Sequence, residues 1–474
     1  MIKNNNWITP GIKVSCRHKR ELYLLYKNNN NYKIKKDYKL YCRILSDVIK
    51  AAKRLHYDRL ISKSSNKMKT TWNIVKSITD KKTDSKVIQS IDTGNSITSK
   101  NQQDIADTFQ NYFLSVADKI KSNINSKDNC DNECMDYQFR AFKNPFPNLI
   151  FDHTSTKEIA NIIKAFKPKI SSGYDEISLK ILKISSPFIA APPNHICNRS
   201  ILSGNFPSGM KYSIIIPLFK KGDKKDIKNY RPISLLTSFS KIFEKVIHAR
   251  ILEHAINNNI LSTEQFGFIS NSSTQKATFI LVNDILQALN NKSFVGGIFC
   301  DLEKAFDCVN HGILLKKLEF YGIVGSANTL MKSYLKDRYH CVIVKDSLAQ
   351  GNASLNWGKI KYGVLQGSVP GPLLLLLYIN HLPKVVNTFS QPILFVDDTS
   401  VIVNNTNCIN FEKDFIFSFD QLNKWFNTNL LALNFDKTQC LQFKTMNSLT
   451  IPINISYNNK CVGNNTDKIL RYYY

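Results

Sequence analysis

The stretch Gln391-Pro392-Ile393-Leu394-Phe395-Val396-Asp397-Asp398-Thr399-Ser400-Val401-Ile402-Val403 sets two adjacent carboxylates between two apolar runs rich in β-branched residues. Apolar strands around a short polar break form the pattern of a tight hairpin, here with both Asp at its tip. Two like charges side by side are costly to desolvate unless another charge compensates. A divalent metal is the usual compensation for such a pair. An Asp-rich turn is the alternative reading, because Asp is a common turn residue.

A second segment favours the metal. Gly296-Gly297-Ile298-Phe299-Cys300-Asp301 is another apolar run ending in a carboxylate. It predicts a strand that delivers Asp301 to a sheet edge. A helical pattern follows, with apolar positions at Ala305, Val309, Ile313, Leu314 and Leu318. Two-metal phosphoryl transfer needs carboxylates from separate strands around ions roughly 3.5–4 Å apart. Asp301, Asp397 and Asp398 would supply that set. Mg²⁺ suits them, since it takes oxygen ligands and keeps positions open for substrate phosphates.

An Asp followed five residues later by an aromatic, then Gly-x-x-Gln-Gly-Ser, then aromatic-x-Asp-Asp, resembles the polymerase motifs of reverse transcriptases, and of the jockey-like non-LTR retrotransposon enzymes in particular. The supporting blocks run in order: Ile216–Asp223, Asn229–Leu236, Glu264-Gln265-Phe266-Gly267-Phe268 with Ser272-Ser273-Thr274, Gly363-Val364-Leu365-Gln366-Gly367-Ser368, and Leu433-Asn434-Phe435-Asp436-Lys437-Thr438. The resemblance covers residues 165–445. It implies an α+β fold, a right-hand polymerase of fingers and palm with a truncated thumb and a basic helical N-terminal segment. It implies RNA-directed DNA synthesis from a 3′-hydroxyl primer, with an RNA template, a DNA primer and dNTPs as partners and two Mg²⁺ ions as cofactor.

The same resemblance assigns roles. Asp301, Asp397 and Asp398 hold the metals. Arg231 clamps the triphosphate, and guanidinium forks suit phosphate oxygens; Lys220 or Lys221 assists, against the alternative of a solvated Lys turn. Phe306 selects against a 2′-hydroxyl, or else is a core aromatic. Gln366 touches the nucleotide, and Gly367 lets the backbone approach closely. Lys437 donates a proton to pyrophosphate, or is simply a Lys at a helix end. Several positions depart from the family pattern: Gly209-Met210, Ile269, Gly312, Leu365, Pro370, His381 and Val396. None removes a metal ligand. Val396 is bulkier than the usual Ala and is expected to crowd the hairpin, at roughly 1–3 kcal/mol if packing is tight. Departures of this kind, with a shortened thumb, also fit a catalytically inactive nucleic-acid-binding remnant, the second function class.

Composition agrees with a nucleic-acid partner. The 474 residues carry 64 Lys+Arg against 37 Asp+Glu, a net charge of +27. That excess favours a polyanion. Hydrophobic content of 43% supports a sizeable core. Eleven cysteines show no zinc-ligand spacing, Cys130 and Cys134 included, and fit a reducing compartment. Cys300 and Cys308 fit as small core residues. The opening Met1-Ile2-Lys3-Asn4-Asn5-Asn6 has no apolar signal segment, and the run Leu373–Ile379 is too short to cross a membrane. It fits a buried helix behind the catalytic sheet. A nuclear and cytoplasmic protein that does not engage membranes is expected; the sequence is silent on oligomeric state.

The expected organisation is a basic helical N-terminal and linker region over 1–140, fingers over 150–290, palm over 291–445 and a primer-grip or thumb remnant over 446–474, with the reverse transcriptase domain over about 200–474. Within the first region, basic amphipathic helices are predicted over 38–62 and 105–121, and a linker over 122–138. Strands are predicted at 213–219 and 451–457, and a helix over 239–256. No endonuclease is recognised, so a fragment of a larger element is expected.

Overall fold

Helical apolar spacing interleaved with Lys and Arg, rather than a dense apolar pattern, builds the start of the chain. The structure is a computed structural model that describes residues 7–28, 32–64, 67–78, 88, 90–92, 98–99, 101–124, 130–142, 145–344, 356–386, 390–445, 456–457 and 460–461. It divides into two compact units, residues 1–86 and 87–474. The first holds α1 (Pro10–Asn28), α2 (Tyr32–Ser62) and α3 (Lys67–Ile78). Pro10 opens α1, where a missing N–H leaves no helical hydrogen bond unmade. α1 packs on α2, with the Tyr26 and Tyr38 rings stacked at 5.6 Å. Leu45 is buried, while Leu25, Ile44 and Leu55 stay exposed. The helix expected over 38–62 is the larger part of α2.

The second unit begins with a short pair, β1 (Ile91–Asp92) and β2 (Thr98–Ser99), and then α4 (Gln102–Ser122), which contains the helix expected over 105–121. Next comes α5 (Cys130–Ala141). The linker expected over 122–138 is therefore corrected at its C-terminal half. Polar local composition gives way there to burial: Cys134 and Gln138 are enclosed, and the Cys134 thiol donates to Asn429 Oδ1 at 3.1 Å. Three helices follow, α6 (Thr156–Ala165), α7 (Leu179–Ile189) and α8 (Ala191–Ser203).

Strands β3 (Tyr212–Phe219) and β4 (Tyr230–Leu236) come next, then α9 (Ser238–Asn257), whose N-terminus is capped by Thr237 Oγ1 accepting the Ser240 N–H, and α10 (Thr274–Asn290). Then come β5 (Phe294–Cys300), α11 (Ala305–Cys308), α12 (His311–Phe320), α13 (Gly325–Leu335), β6 (Arg338–Val342) and β7 (Gly358–Ile360). The single helical pattern from Ala305 to Leu318 is broken at Val309-Asn310. Asn310 Oδ1 there accepts from Gly312 and Ile313 and starts α12 afresh. The chain continues through α14 (Gly371–Ile379), α15 (Leu382–Val386), β8 (Ser390–Phe395), β9 (Asp398–Asn405), α16 (Cys408–Thr428) and β10 (Gln439–Phe443). Last is a small pair, β11 (Ser456–Tyr457) and β12 (Lys460–Cys461). Most of the strand expected over 451–457 lies outside the described residues.

Two four-stranded sheets position the site, giving a mixed α+β fold. One has the order β4-β3-β6-β7, with β3 and β6 parallel. Residues on both sides of position 290 thus share it. Gln110 of α4 steadies its β6 strand, donating from Nε2 to His340 O at 2.9 Å and accepting from Val342 N–H at 3.0 Å. The other sheet has the order β10-β5-β9-β8, all antiparallel. Phe411 and Phe415 of α16 and the apolar body of α14 lie in the main core with Ile298, Val401 and Val403. Ala288 and Ile285 of α10 pack with Val295 and Ile402 on the other face. α14 is buried from Leu373 through Ile379, as its unbroken apolar run requires. Among the described residues, no helix is long and apolar enough to cross a membrane.

Charged side chains are also buried inside this core, Lys317 among them. Lys317 is fully buried and donates to Tyr378 O at 2.5 Å and to Asn429 Oδ1. Burial pushes its ammonium down from 10.5 to about 8, opposed by Cys134. Between those values the folded chain binds fewer protons at this site than the unfolded chain, so stability rises with pH across that window. We expect the wild type to gain stability relative to Lys317→Met as pH rises from 8 toward 10. Urea unfolding of both proteins at several pH values measures it; an unchanged difference counts against an ionisable buried Lys317.

Candidate active site

Antiparallel pairing decides which carboxylates meet. β5 and β9 run in register through Cys300↔Thr399, so one further step sets Asp301 beside Asp398. β8 and β9 are joined by a two-residue turn, Val396-Asp397, closed by the Phe395↔Asp398 pair. The hairpin expected from sequence is present. Only Asp397 sits in its turn, however, while Asp398 opens β9. Val396 has φ +60°, a left-handed conformation that costs a β-branched residue of order 1–3 kcal/mol. The Val396 side chain is itself buried.

The electrostatics follow from this crowding. Burial raises the Asp397 carboxyl above its ordinary range, Asp301 adds to the rise, and Arg231 and Lys220 oppose it. Asp398 is raised by burial, then by Asp397 and Asp301. Lys437 is ion-paired with Asp301 Oδ2. Lys220 lies past the end of β3, its N–H donating to Asn229 O at 2.9 Å. Arg231 is exposed on β4, opposite Leu218. The Lys220 ammonium is lowered by burial and by the neighbouring Arg231 and Lys437. Three carboxylates from β5 and the hairpin therefore face three cations from β3, β4 and the segment before β10.

The donor set is all carboxylate oxygen, which suits a hard divalent cation. The raised carboxyls lack enough positive charge of their own. Among the described residues, no three Asp, Glu, His or Cys side chains are drawn together into a closed metal cluster. Donor chemistry and charge fit a divalent ion, and Lys437 takes up part of that charge on Asp301.

Phe306 lies in α11, five residues beyond Asp301, and is half-buried against the main core. Its carbonyl accepts the Val364 N–H at 2.8 Å, which ties α11 to the Gln366 loop. Gln366 Nε2 donates to Asp307 Oδ1 at 3.1 Å, and its carbonyl accepts the Ser234 N–H at 2.8 Å. Gly367 has φ +117°, and a Cβ there would meet Ser234 O at 2.7 Å, so backbone and β4 approach as only glycine allows.

Residues 220–453 match the family Reverse transcriptase (RNA-dependent DNA polymerase). The chain carries a reverse transcriptase domain. It is 30% identical over 318 residues to the probable RNA-directed DNA polymerase from transposon BS of Drosophila melanogaster, covering 63% of this chain and 33% of that protein. It is 31% identical over 254 residues to the corresponding X-element protein of the same fly, covering 52% and 26%. To the RNA-directed DNA polymerase from mobile element jockey of Drosophila funebris it is 28% identical over 282 residues, covering 58% and 30%. The chain spans about a third of the length of these curated relatives.

Every residue singled out from sequence, from Lys220 to Lys437, falls within the matched reverse transcriptase span. Others were missed. Asp307 is pushed up to about 6 by burial, opposed by Lys304 and the Gln366 amide. Lys304 has φ +47° and donates to Tyr230 O at 3.2 Å. Glu244 of α9 is fully buried and accepts from Val369 N–H at 2.9 Å and Tyr334 OH at 3.0 Å, bracing the loop after Gln366. A Glu inside the apolar spacing of α9 was the one signal available for it.

An acid whose folded value is raised destabilises the fold when ionised, and that cost disappears below its unfolded value near 3.8. Asp397→Asn should therefore raise the unfolding temperature of the metal-free protein at pH 7.5, by about 2 °C. The gain should shrink as pH falls toward 4. Calorimetry at both pH values measures it, and a lower midpoint for the variant at pH 7.5 contradicts this electrostatic account.

Proposed function

We propose that the domain is an RNA-directed DNA polymerase of a non-LTR retrotransposon. It extends a DNA primer 3′-hydroxyl with dNTPs on an RNA template, in the nucleus or cytoplasm where such partners meet. The observation that carries this reading is the juxtaposition of Asp301, Asp397 and Asp398 with Arg231, Lys220 and Lys437. A carboxylate cluster opposed by phosphate-binding cations fits phosphoryl transfer, and the ordered motifs and named relatives support the polymerase class. In right-hand terms, we read residues 150–290 as fingers and 291–445 as palm, with the β10-β5-β9-β8 sheet in the palm and β3 and β4 of the fingers sharing a sheet with β6 and β7. We read residues 1–140 as a basic segment preceding them and 446–474 as the start of a primer grip and thumb.

Asp301, Asp397 and Asp398 would hold the divalent ions. Two Mg²⁺ ions at these oxygens would supply a lowered pKa for the primer 3′-hydroxyl and charge neutralisation at the triphosphate. Arg231 and Lys220 bind the β- and γ-phosphates, drawing the α-phosphorus toward the primer oxygen. The primer hydroxyl releases its proton to solvent as its oxygen forms the new phosphodiester bond and the bond from the α-phosphorus to the bridging oxygen of pyrophosphate breaks. Lys437, once released from Asp301, gives its proton to that leaving oxygen. Gln366, oriented by Asp307, contacts the nucleotide, and Phe306 stands against its 2′ position.

Primer extension on an RNA template tests the reading. Wild-type protein should incorporate dNTPs with Mg²⁺, and Asp397→Asn should cut the rate roughly a thousandfold, the scale of ~4 kcal/mol. RNA binding with no synthesis at any Mg²⁺ or Mn²⁺ concentration would leave only an inactive nucleic-acid-binding protein. In the same assay Phe306→Ala should raise ribonucleotide incorporation relative to dNTP by about 10–100-fold, the discrimination one small group carries. Unchanged selectivity would make Phe306 a core aromatic only.

A further inference from the structure

We propose that Gln265 is a positioning residue that clamps the hairpin of the catalytic carboxylates in its left-handed turn, a role that rests on the polymerase reading above. The segment before α10 adds itself to the free edge of β8. Leu394 N–H donates to Glu264 O at 2.9 Å, and Phe266 N–H donates to Leu394 O at 2.8 Å. Gln265 and Leu394 thus form a parallel bridge. The base of this segment is fixed by Asn380, which donates from Nδ2 to Ile260 O at 2.6 Å and accepts the Ser262 N–H at 2.8 Å.

From this edge the Gln265 side chain reaches the turn. Its Oε1 accepts the Val396 N–H at 2.9 Å and the Gly267 N–H at 2.8 Å, and its Nε2 donates to Val396 O at 3.4 Å. The first central residue of a two-residue hairpin turn has no ladder partner for its N–H and C=O. Val396 is 7% exposed, so water does not replace them. A buried backbone amide without a partner is costly, and Gln265 supplies both bonds from a side chain that is itself 6% exposed. Gly267 makes room for this: a Cβ there would meet Val396 Cγ2 at 2.4 Å and Val396 N at 2.6 Å. The turn favours Gly at Val396, since φ is positive. With Val in place, the left-handed backbone depends on the clamp, and Asp397 follows directly in the chain.

Amide exchange and steady-state kinetics on the full chain together test the proposal. In Gln265→Ala, protection of the Val396 amide should fall at least about tenfold, while the Val401 amide in the β5–β9 ladder, opposite Ile298, keeps its protection. The kcat for primer extension should fall about 10–100-fold, the effect of a sub-ångström misplacement of reacting groups. The KM for dNTP should change less than about threefold. In Gln265→Ala/Val396→Gly, where glycine takes the positive φ without strain, kcat should recover most of that loss relative to Val396→Gly alone. Unchanged Val396 protection in Gln265→Ala overturns the clamp, as does a double variant that shows the full loss. If wild-type protein shows no extension at all, the polymerase reading fails, and the exchange data still decide the clamp.

Discussion

The antiparallel register of β5 against β9 is the constraint on which the site depends. It brings Asp301 to Asp398 across 97 positions of sequence (398 − 301), with Asp397 beside them in the turn. The strands hold that register because their apolar faces are covered on both sides, by α16 and α14 on one and α10 on the other. A slip of one residue would turn every side chain to the opposite face. The carboxylates are crowded because the core beneath them is well specified.

Crowding like charges works against the fold, and the surroundings are arranged to offset it in part. Lys437 pairs with Asp301, and Lys220 and Arg231 lower the charge felt by Asp397. The compensation is incomplete, since both hairpin carboxyls remain raised. Such residual strain is common at functional sites, where groups are placed for a ligand rather than for stability. Val396 adds backbone strain at the same point. Around this centre, buried polar groups do the bracing: Glu244 holds the loop after Gln366, Asp307 orients Gln366 itself, and Asn380 fixes the segment that carries Gln265.

Much of this was legible in the sequence. β3, α9, α14 and most of α4 follow from apolar spacing, because each buries one regular face or an entire apolar run; most of α2 follows from the same spacing, although its Ile44, Val48 and Leu55 stay exposed. Asp301, Asp397 and Asp398 stood out because carboxylates at the ends of apolar strands are rare without a purpose. Where local signals misled, burial had overridden composition. Residues 130–138 look like a polar linker, yet α5 docks through Cys134 and Gln138 onto α12 and α16. The pattern from Ala305 to Leu318 is periodic throughout, yet Asn310 caps a new helix within it.

The sequence by itself determined the chemistry: which carboxylates, cations and aromatic are available, in what order, and on what elements. Those are properties of residue type and spacing, which a chain carries before it folds. Only the tertiary structure decided the pairings: Lys437 with Asp301, Asp307 with Gln366, Glu244 with Val369, Gln265 with Val396. Each joins residues between 59 and 136 positions apart. No local propensity encodes such contacts, because they arise when separate elements bury their apolar faces together and bring their polar atoms within hydrogen-bonding distance.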